Sequence, residues 1–132
     1  MLSKRLEQVA SMVTKGNIIA DIGTDHGYVP IYLVEKGICP KAYAMDINQG
    51  PIESAIKNIE NYGLSEKIQA IKSNGLEKLE PEKADTIIIA GMGGELIVNI
   101  LENGLAKLEN CSRPVKELVL SPHKRGDLVR KY

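Results

Sequence analysis

The chain has no tryptophan and no phenylalanine, and five tyrosines are its only large aromatic residues. Its core must therefore be aliphatic, and a hydrophobic content of 43% is enough to build one. Charge of one sign is also missing: 17 basic residues balance 17 acidic ones, for a formal net charge of zero. No global basic field advertises a nucleic-acid partner, which leaves that task to local patches. Cys39 and Cys111 are the only cysteines, and they form no CxxC pair or metal-ligand spacing. Neither a disulfide framework nor a metal site is expected, and two free thiols fit a reducing cytosol. No apolar run is long enough to span a membrane, and Met1-Leu2-Ser3-Lys4-Arg5-Leu6 lacks the apolar core of a signal peptide. These absences point to a cytoplasmic protein with no membrane partner. Repeats and low-complexity segments are missing too, and 132 residues make one domain, residues 1–132.

What is present centres on Ile18-Ile19-Ala20-Asp21-Ile22-Gly23-Thr24-Asp25-His26-Gly27-Tyr28. A short apolar run passes through a glycine-bearing loop into an apolar, helix-like segment. This order builds a nucleotide-type cofactor site at the carboxyl end of the first strand of an open α/β sheet. Dinucleotide loops read G-x-G-x-x-G and close their backbone on a pyrophosphate. Here the spacing is Asp21-x-Gly23-x-x-x-Gly27, with Asp25 at the loop centre. A carboxylate there repels pyrophosphate and attracts a cation. S-adenosylmethionine (SAM) carries a sulfonium and an ammonium but no phosphate, so the loop argues for SAM over a nicotinamide dinucleotide.

The rest of the chain alternates between helical and strand-like patterns. Leu2, Leu6, Val9, Ala10 and Val13 recur at helical spacing, and Lys15-Gly16 suggests a C-cap. Asn17 to Asp21 is the first predicted strand, and Tyr28 to Glu35 is the helix after it, stopped by Lys36-Gly37. Ala42 to Ile47 is a second strand, placing Asp46 25 positions after Asp21. An acid at that tip accepts ribose hydroxyls in βαβ units. It also fits a simple turn before Asn48-Gln49-Gly50-Pro51. Helix Pro51 to Tyr62, strand Ile68 to Lys72, strand Asp85 to Ala90, helix Glu95 to Leu108 and strand Glu117 to Leu120 follow. The basic segment Lys124 to Tyr132 begins to look helical. Strands alternating with helices imply a mostly parallel sheet covered on both faces, with its ligand at the carboxyl edge.

Four motifs stand in order: Leu2-Ser3-Lys4-Arg5-Leu6, Asp21-Ile22-Gly23-Thr24-Asp25-His26-Gly27-Tyr28, Asn74-Gly75-Leu76 and Ile89-Ala90-Gly91-Met92-Gly93-Gly94. With them the whole chain resembles the bacterial tRNA (adenine(22)-N(1))-methyltransferase family, a class I SAM-dependent, Rossmann-like group. The resemblance implies methylation of a tRNA adenine in the D-arm region. It puts the methionine end of SAM against Gly23, Thr24, Asp25 and Gly27, beside Asp21. Asp46 would take the ribose, Ile47, Asn74 and Gly75 the adenine, and Ala90, Gly91 and Met92 the space near the methyl group. Two departures from the family are visible. Ser121-Pro122-His123 stands where the family shows Gln-Pro-Asn, and the chain stops where the family continues into further strands and a helical region. A Rossmann-like sheet truncated after about the fifth strand is therefore expected, with an open edge that favours self-association.

Adenine N1 attacks with a lone pair that carries no proton, so no general base is required. In-line positioning and negative charge near the developing cation suffice. Asp25 and His26 are the catalytic candidates, Asp25 for charge and His26 for placing the base, with backbone capping as the alternative for His26. For Asp21 the alternative is a helix-capping carboxylate, and for Met92 it is packing. The competing functions are methylation of a small molecule or protein, and a SAM-binding remnant without activity.

Overall fold

The computed structural model describes residues 2–122 and 130–132. In chain order the elements are α1 (Lys4–Ser11), β1 (Ile19–Ile22), α2 (Tyr28–Glu35), β2 (Ala42–Asp46) and α3 (Gln49–Asn61), then β3 (Ile68–Lys72), β4 (Thr86–Met92), α4 (Gly94–Glu109), β5 (Glu117–Pro122) and β6 (Arg130–Lys131). The six strands form one sheet in the order β3-β2-β1-β4-β5-β6. β1 to β5 are parallel, and only β6 runs against its neighbour. From β1 the chain goes outward to β2 and β3, then returns to place β4 on the other side of β1. This reversal opens a crevice at the carboxyl ends of β1 and β4, where doubly wound sheets hold ligands.

Side-chain alternation splits the core into two layers. Ile19 and Ile88 join Val9 of α1, Leu33 of α2 and Ile59 of α3 on one face. Ala20, Ile22, Ile87 and Ile89 join Ile97 and Leu108 of α4 on the other. The largest fully buried side chains are Ile, Leu, Met, Val and Thr, as a chain without Phe or Trp requires. Glu117 at the start of β5 is buried and accepts the Thr14 N–H and the Thr86 hydroxyl, at 2.8 and 2.7 Å. This polar cluster sits at the amino ends of the strands, away from the crevice.

Several boundaries differ from the sequence-based expectation. α1 ends at Ser11, four residues before the predicted Lys15-Gly16 cap, and the Gly16 N–H instead donates to the Ile38 carbonyl at 2.8 Å. β1 starts at Ile19, and the Ile18 N–H before it donates to the Asp85 side chain at 2.8 Å. β4 runs past Ala90 through an irregularity in its pairing with β5 and ends at Met92. The helical expectation for Lys124 to Tyr132 falls partly on 123–129, which lie outside the described residues, as does His123. Its described end is a strand: Tyr132 and Leu118 exchange both backbone hydrogen bonds at 2.8 Å, and β6 pairs with the outer edge of β5.

Candidate cofactor cleft

The loop after β1 is held by its neighbours before any ligand is considered. Gly23 and Thr24 both donate their N–H to the Met45 carbonyl at 2.8 Å, which ties the loop to the end of β2. Asp46 completes the brace. Its Oδ2 accepts the Asp25 N–H at 3.1 Å and its Oδ1 accepts the Asn48 N–H at 3.0 Å. Asp25 itself sits at φ +60°, a left-handed conformation uncommon for a residue with a side chain, and its carboxylate is 70% exposed. Gly27, at φ +78°, caps the amino end of α2. Gly23 is favoured by its φ of +76°, and its bare Cα leaves room for the Met92 methyl group.

These elements enclose a cleft of about 550 Å³. Of the residues expected at the site, Asp21, Gly23, Thr24, Asp25, His26, Asp46, Ile47, Ala90, Gly91 and Met92 line it. Gly27 shapes it from behind, at the start of α2. Asn74 and Gly75 are not brought in: they line a separate cavity of about 350 Å³ that shares only Leu96 with the cleft. Gly75 packs against Ile100 of α4, whose Cγ1 would lie 3.3 Å from a Cβ there.

Residues not anticipated from sequence also line the cleft, chiefly Arg5 and Leu6 of α1, Tyr28, Asn48, Pro51 and Leu96. Arg5 belongs to the Leu2-Ser3-Lys4-Arg5-Leu6 motif, but no local signal distinguishes it from a solvated charge. Tyr28 stacks on His26 with ring centroids 5.2 Å apart. The His26 ring is further fixed by a 2.8 Å hydrogen bond between Nδ1 and Ser54 Oγ, and the Asn58 amide donates to its carbonyl at 2.9 Å. Asp25 stands 3.6 Å from His26 Nε2.

The cleft is electrostatically negative, with Asp21, Asp25 and Asp46 on its walls. Burial pushes Asp21 up to about 7; the nearby Thr24 hydroxyl opposes the rise, and the Asp46 charge adds to it. The Thr24 backbone is hydrogen-bonded, but its buried Oγ1 has no partner of ordinary hydrogen-bond geometry among the described residues. A buried hydroxyl in this wall, close enough to Asp21 to affect its titration, is available to a polar ligand. Among the described residues no cluster of His, Cys, Asp or Glu is placed to hold a metal ion, and no helix is long and apolar enough to cross a membrane.

A doubly wound sheet with an acidic crevice at its switch point defines a Rossmann-like protein. Comparison with known proteins narrows this class. The family described as "Methyltransferase domain" matches residues 2–132, and the chain belongs to it. Over 131 residues, 99% of its length, the chain is 41% identical to the tRNA (adenine(22)-N(1))-methyltransferase of Bacillus subtilis (strain 168), of which this is 53%. A Streptococcus pneumoniae protein solved in complex with S-adenosyl-L-methionine superposes with a TM-score of 0.86 at 51% identity, over 92% of this chain and 56% of that one. M. capricolum TrmK in complex with S-adenosyl-homocysteine gives 0.80 at 41% identity, over 91% and 51%. The chain thus spans about half the length of the relatives it matches.

Proposed function

We propose that the chain binds SAM in the cleft between β1, β2 and β4 and serves transfer of its methyl group to N1 of a tRNA adenine. The observation that carries this reading is the acidic, pre-braced loop after β1 with the unpartnered Thr24 hydroxyl beside it. Its carboxylates suit a cationic cofactor, and the buried hydroxyl offers a polar contact. When bound, SAM supplies a methyl group activated by a positively charged sulfur.

The chain's own residues divide the remaining work. Asp25, exposed and at the loop centre, offers its carboxylate to an ammonium group. Asp46 spends two of its roughly four lone-pair directions on the Asp25 and Asn48 N–H groups, leaving acceptors for ribose hydroxyls. Ile47, about half exposed beside it, offers an apolar surface to the adenine ring. Ala90, Gly91 and Met92 bound the side of the cleft where the methyl group would be presented. An adenine N1 nucleophile needs no proton removed, so catalysis rests on placement and on negative charge near the developing cation. Asp25 supplies that charge, and His26, locked by Ser54 and stacked on Tyr28, places the acceptor base.

The tRNA acceptor and a cytoplasmic setting are supported by the Bacillus subtilis relative, not by net charge. Calorimetric titration of the chain with SAM tests the cofactor, and Asp25→Ala and Asp46→Ala should both weaken binding. Incorporation of labelled methyl into unmodified tRNA tests the acceptor. Absence of SAM binding by the natural sequence overturns the reading. Binding without tRNA methylation would move the acceptor to a small molecule or protein.

A further inference from the structure

Three of the chain's five tyrosines, Tyr28, Tyr32 and Tyr62, meet on the walls of one groove of about 360 Å³ beside the cofactor cleft. The core does not need them, since its largest fully buried side chains include no aromatic residue. Tyr28 and Tyr62 are 43% and 51% exposed, and Tyr32 is half-buried. Tyr28 and Tyr32 stand four residues apart on α2, about 6 Å along its axis and on one face, and Tyr62 joins them from the end of α3. Tyr28 also lines the cofactor cleft, so the groove continues from the cleft wall where His26 and Tyr28 stack. Among the described residues neither Tyr32 nor Tyr62 stacks on another ring, which leaves faces of both available.

Charge decides what such a groove can hold. Glu7, Glu35 and Lys36 line it, two acids to one base, and among the described residues neither glutamate forms a salt bridge. This balance disfavours a run of phosphates. It suits the face and edge of a nucleobase, because aromatic rings stack on any base and a carboxylate accepts from an exocyclic amine. We propose that the groove holds the base next to the acceptor adenine in the RNA chain, stacked on Tyr32 and Tyr62. The proposal rests on the tRNA reading above. One helical turn separates the tyrosine at the cleft from Tyr32, so the strand has to splay only one further base. The cleft then fixes the base to be methylated, and the groove reads its neighbour. A protein segment is the competing occupant, and continuity with the cleft through Tyr28 favours the RNA.

The test measures binding of unmodified tRNA to the chain saturated with S-adenosyl-homocysteine, which has no methyl group to transfer. Intact tRNA is compared with two versions lacking the base on the 5′ or the 3′ side of the acceptor adenine. One of the two should bind about 5- to 100-fold more weakly, the loss of a stacked base. Tyr32→Leu and Tyr62→Leu should weaken intact tRNA by the same order and weaken that abasic version no further. Tyr32→Phe should keep most of the affinity, since it keeps the ring. Calorimetric affinity for SAM should be unchanged in every variant, which also reports that each remains folded. Equal binding of all three RNAs, or variants that weaken intact and abasic tRNA alike, overturns the proposal while leaving the tRNA reading intact. Unchanged tRNA binding with altered self-association in Tyr62→Leu overturns it in favour of a protein contact. If the natural chain binds SAM but no tRNA, the acceptor reading falls and the proposal with it, while the cofactor reading stands.

Discussion

The Asp46 carboxylate at the tip of β2 holds the backbone N–H of Asp25, 21 residues earlier, at 3.1 Å. One acid thereby sets the conformation of another, because Asp25 sits in a left-handed backbone state that needs outside support. Asp46→Ala should weaken SAM binding and cost about 1–3 kcal/mol of stability, since two N–H groups lose their acceptor. Asp46→Asn keeps one acceptor oxygen and should fall between. Calorimetry with urea denaturation decides the point, and unchanged values in Asp46→Ala would rule out the brace.

Gly23 is predicted to disfavour a side chain, chiefly through its backbone. Its φ of +76° penalises an L-residue, and the added Cβ meets Met92 Cε. Gly23→Ala should cost about 1–2 kcal/mol from the backbone alone, with overlap adding to it. Met92→Ala removes the obstruction, so the double variant should be more stable than the sum of the single losses predicts. Strict additivity in chemical denaturation would show that the two residues do not meet.

Asp21 should make stability fall as pH rises through the mildly acidic range. Its ordinary value is 3.8 and burial lifts it to about 7, so between these values the folded chain holds a proton that the unfolded chain has released. Stability therefore declines from about pH 4 to pH 7, and the penalty is complete above that window. Asp21→Asn removes the penalty, with a gain of at most about 4 kcal/mol in alkaline solution and little at pH 4. Urea midpoints at pH 4 and pH 8 measure it, and an equal effect of the substitution at both would count against a protonated Asp21.

Glu117 should contribute in the opposite sense. Burial works against its charge, but the Thr14 N–H, the Thr86 and Thr14 hydroxyls and Lys131 outweigh burial and hold the carboxyl below its usual range. Its stabilisation is present above the ordinary carboxylate range and is lost as pH falls through the lowered folded value. Glu117→Leu leaves these donors unpaired at the amino end of the sheet and should cost about 3–5 kcal/mol. Because the cluster lies opposite the cleft, the folded variant should keep its SAM affinity. Loss of affinity without loss of stability would contradict this separation.

Much of the architecture is legible in the chain. The β-branched run at residues 86–89 reads as a central strand and is one, buried on both faces. Tyr28–Glu35 stops where Lys36-Gly37 says it should. The Asp21 to Gly27 loop and Asp46 converge because βαβ geometry brings successive strand tips to one edge. Other features were not legible. Gly16 looked like a helix cap, but its N–H has a tertiary partner in Ile38. Asn74 and Gly75 follow β3 and line a separate cavity beside α4. The β6 pairing depends on the far end of the chain returning to β5, which helical periodicity in a short basic segment cannot reveal.

Periodicity and local chemistry alone determined that strands and helices alternate, that the core is aliphatic, and that an acid rather than a third glycine sits in the first loop. Those properties are carried by residues a few positions apart, where spacing translates directly into a shared face or turn. Tertiary structure alone decided that Asp46 braces Asp25, that Met92 closes over Gly23, and that Arg5 rests against Gly91 inside the cleft. Each of these contacts joins distant parts of the chain, and its distance is set by strand order, register and helix docking, which no local pattern encodes.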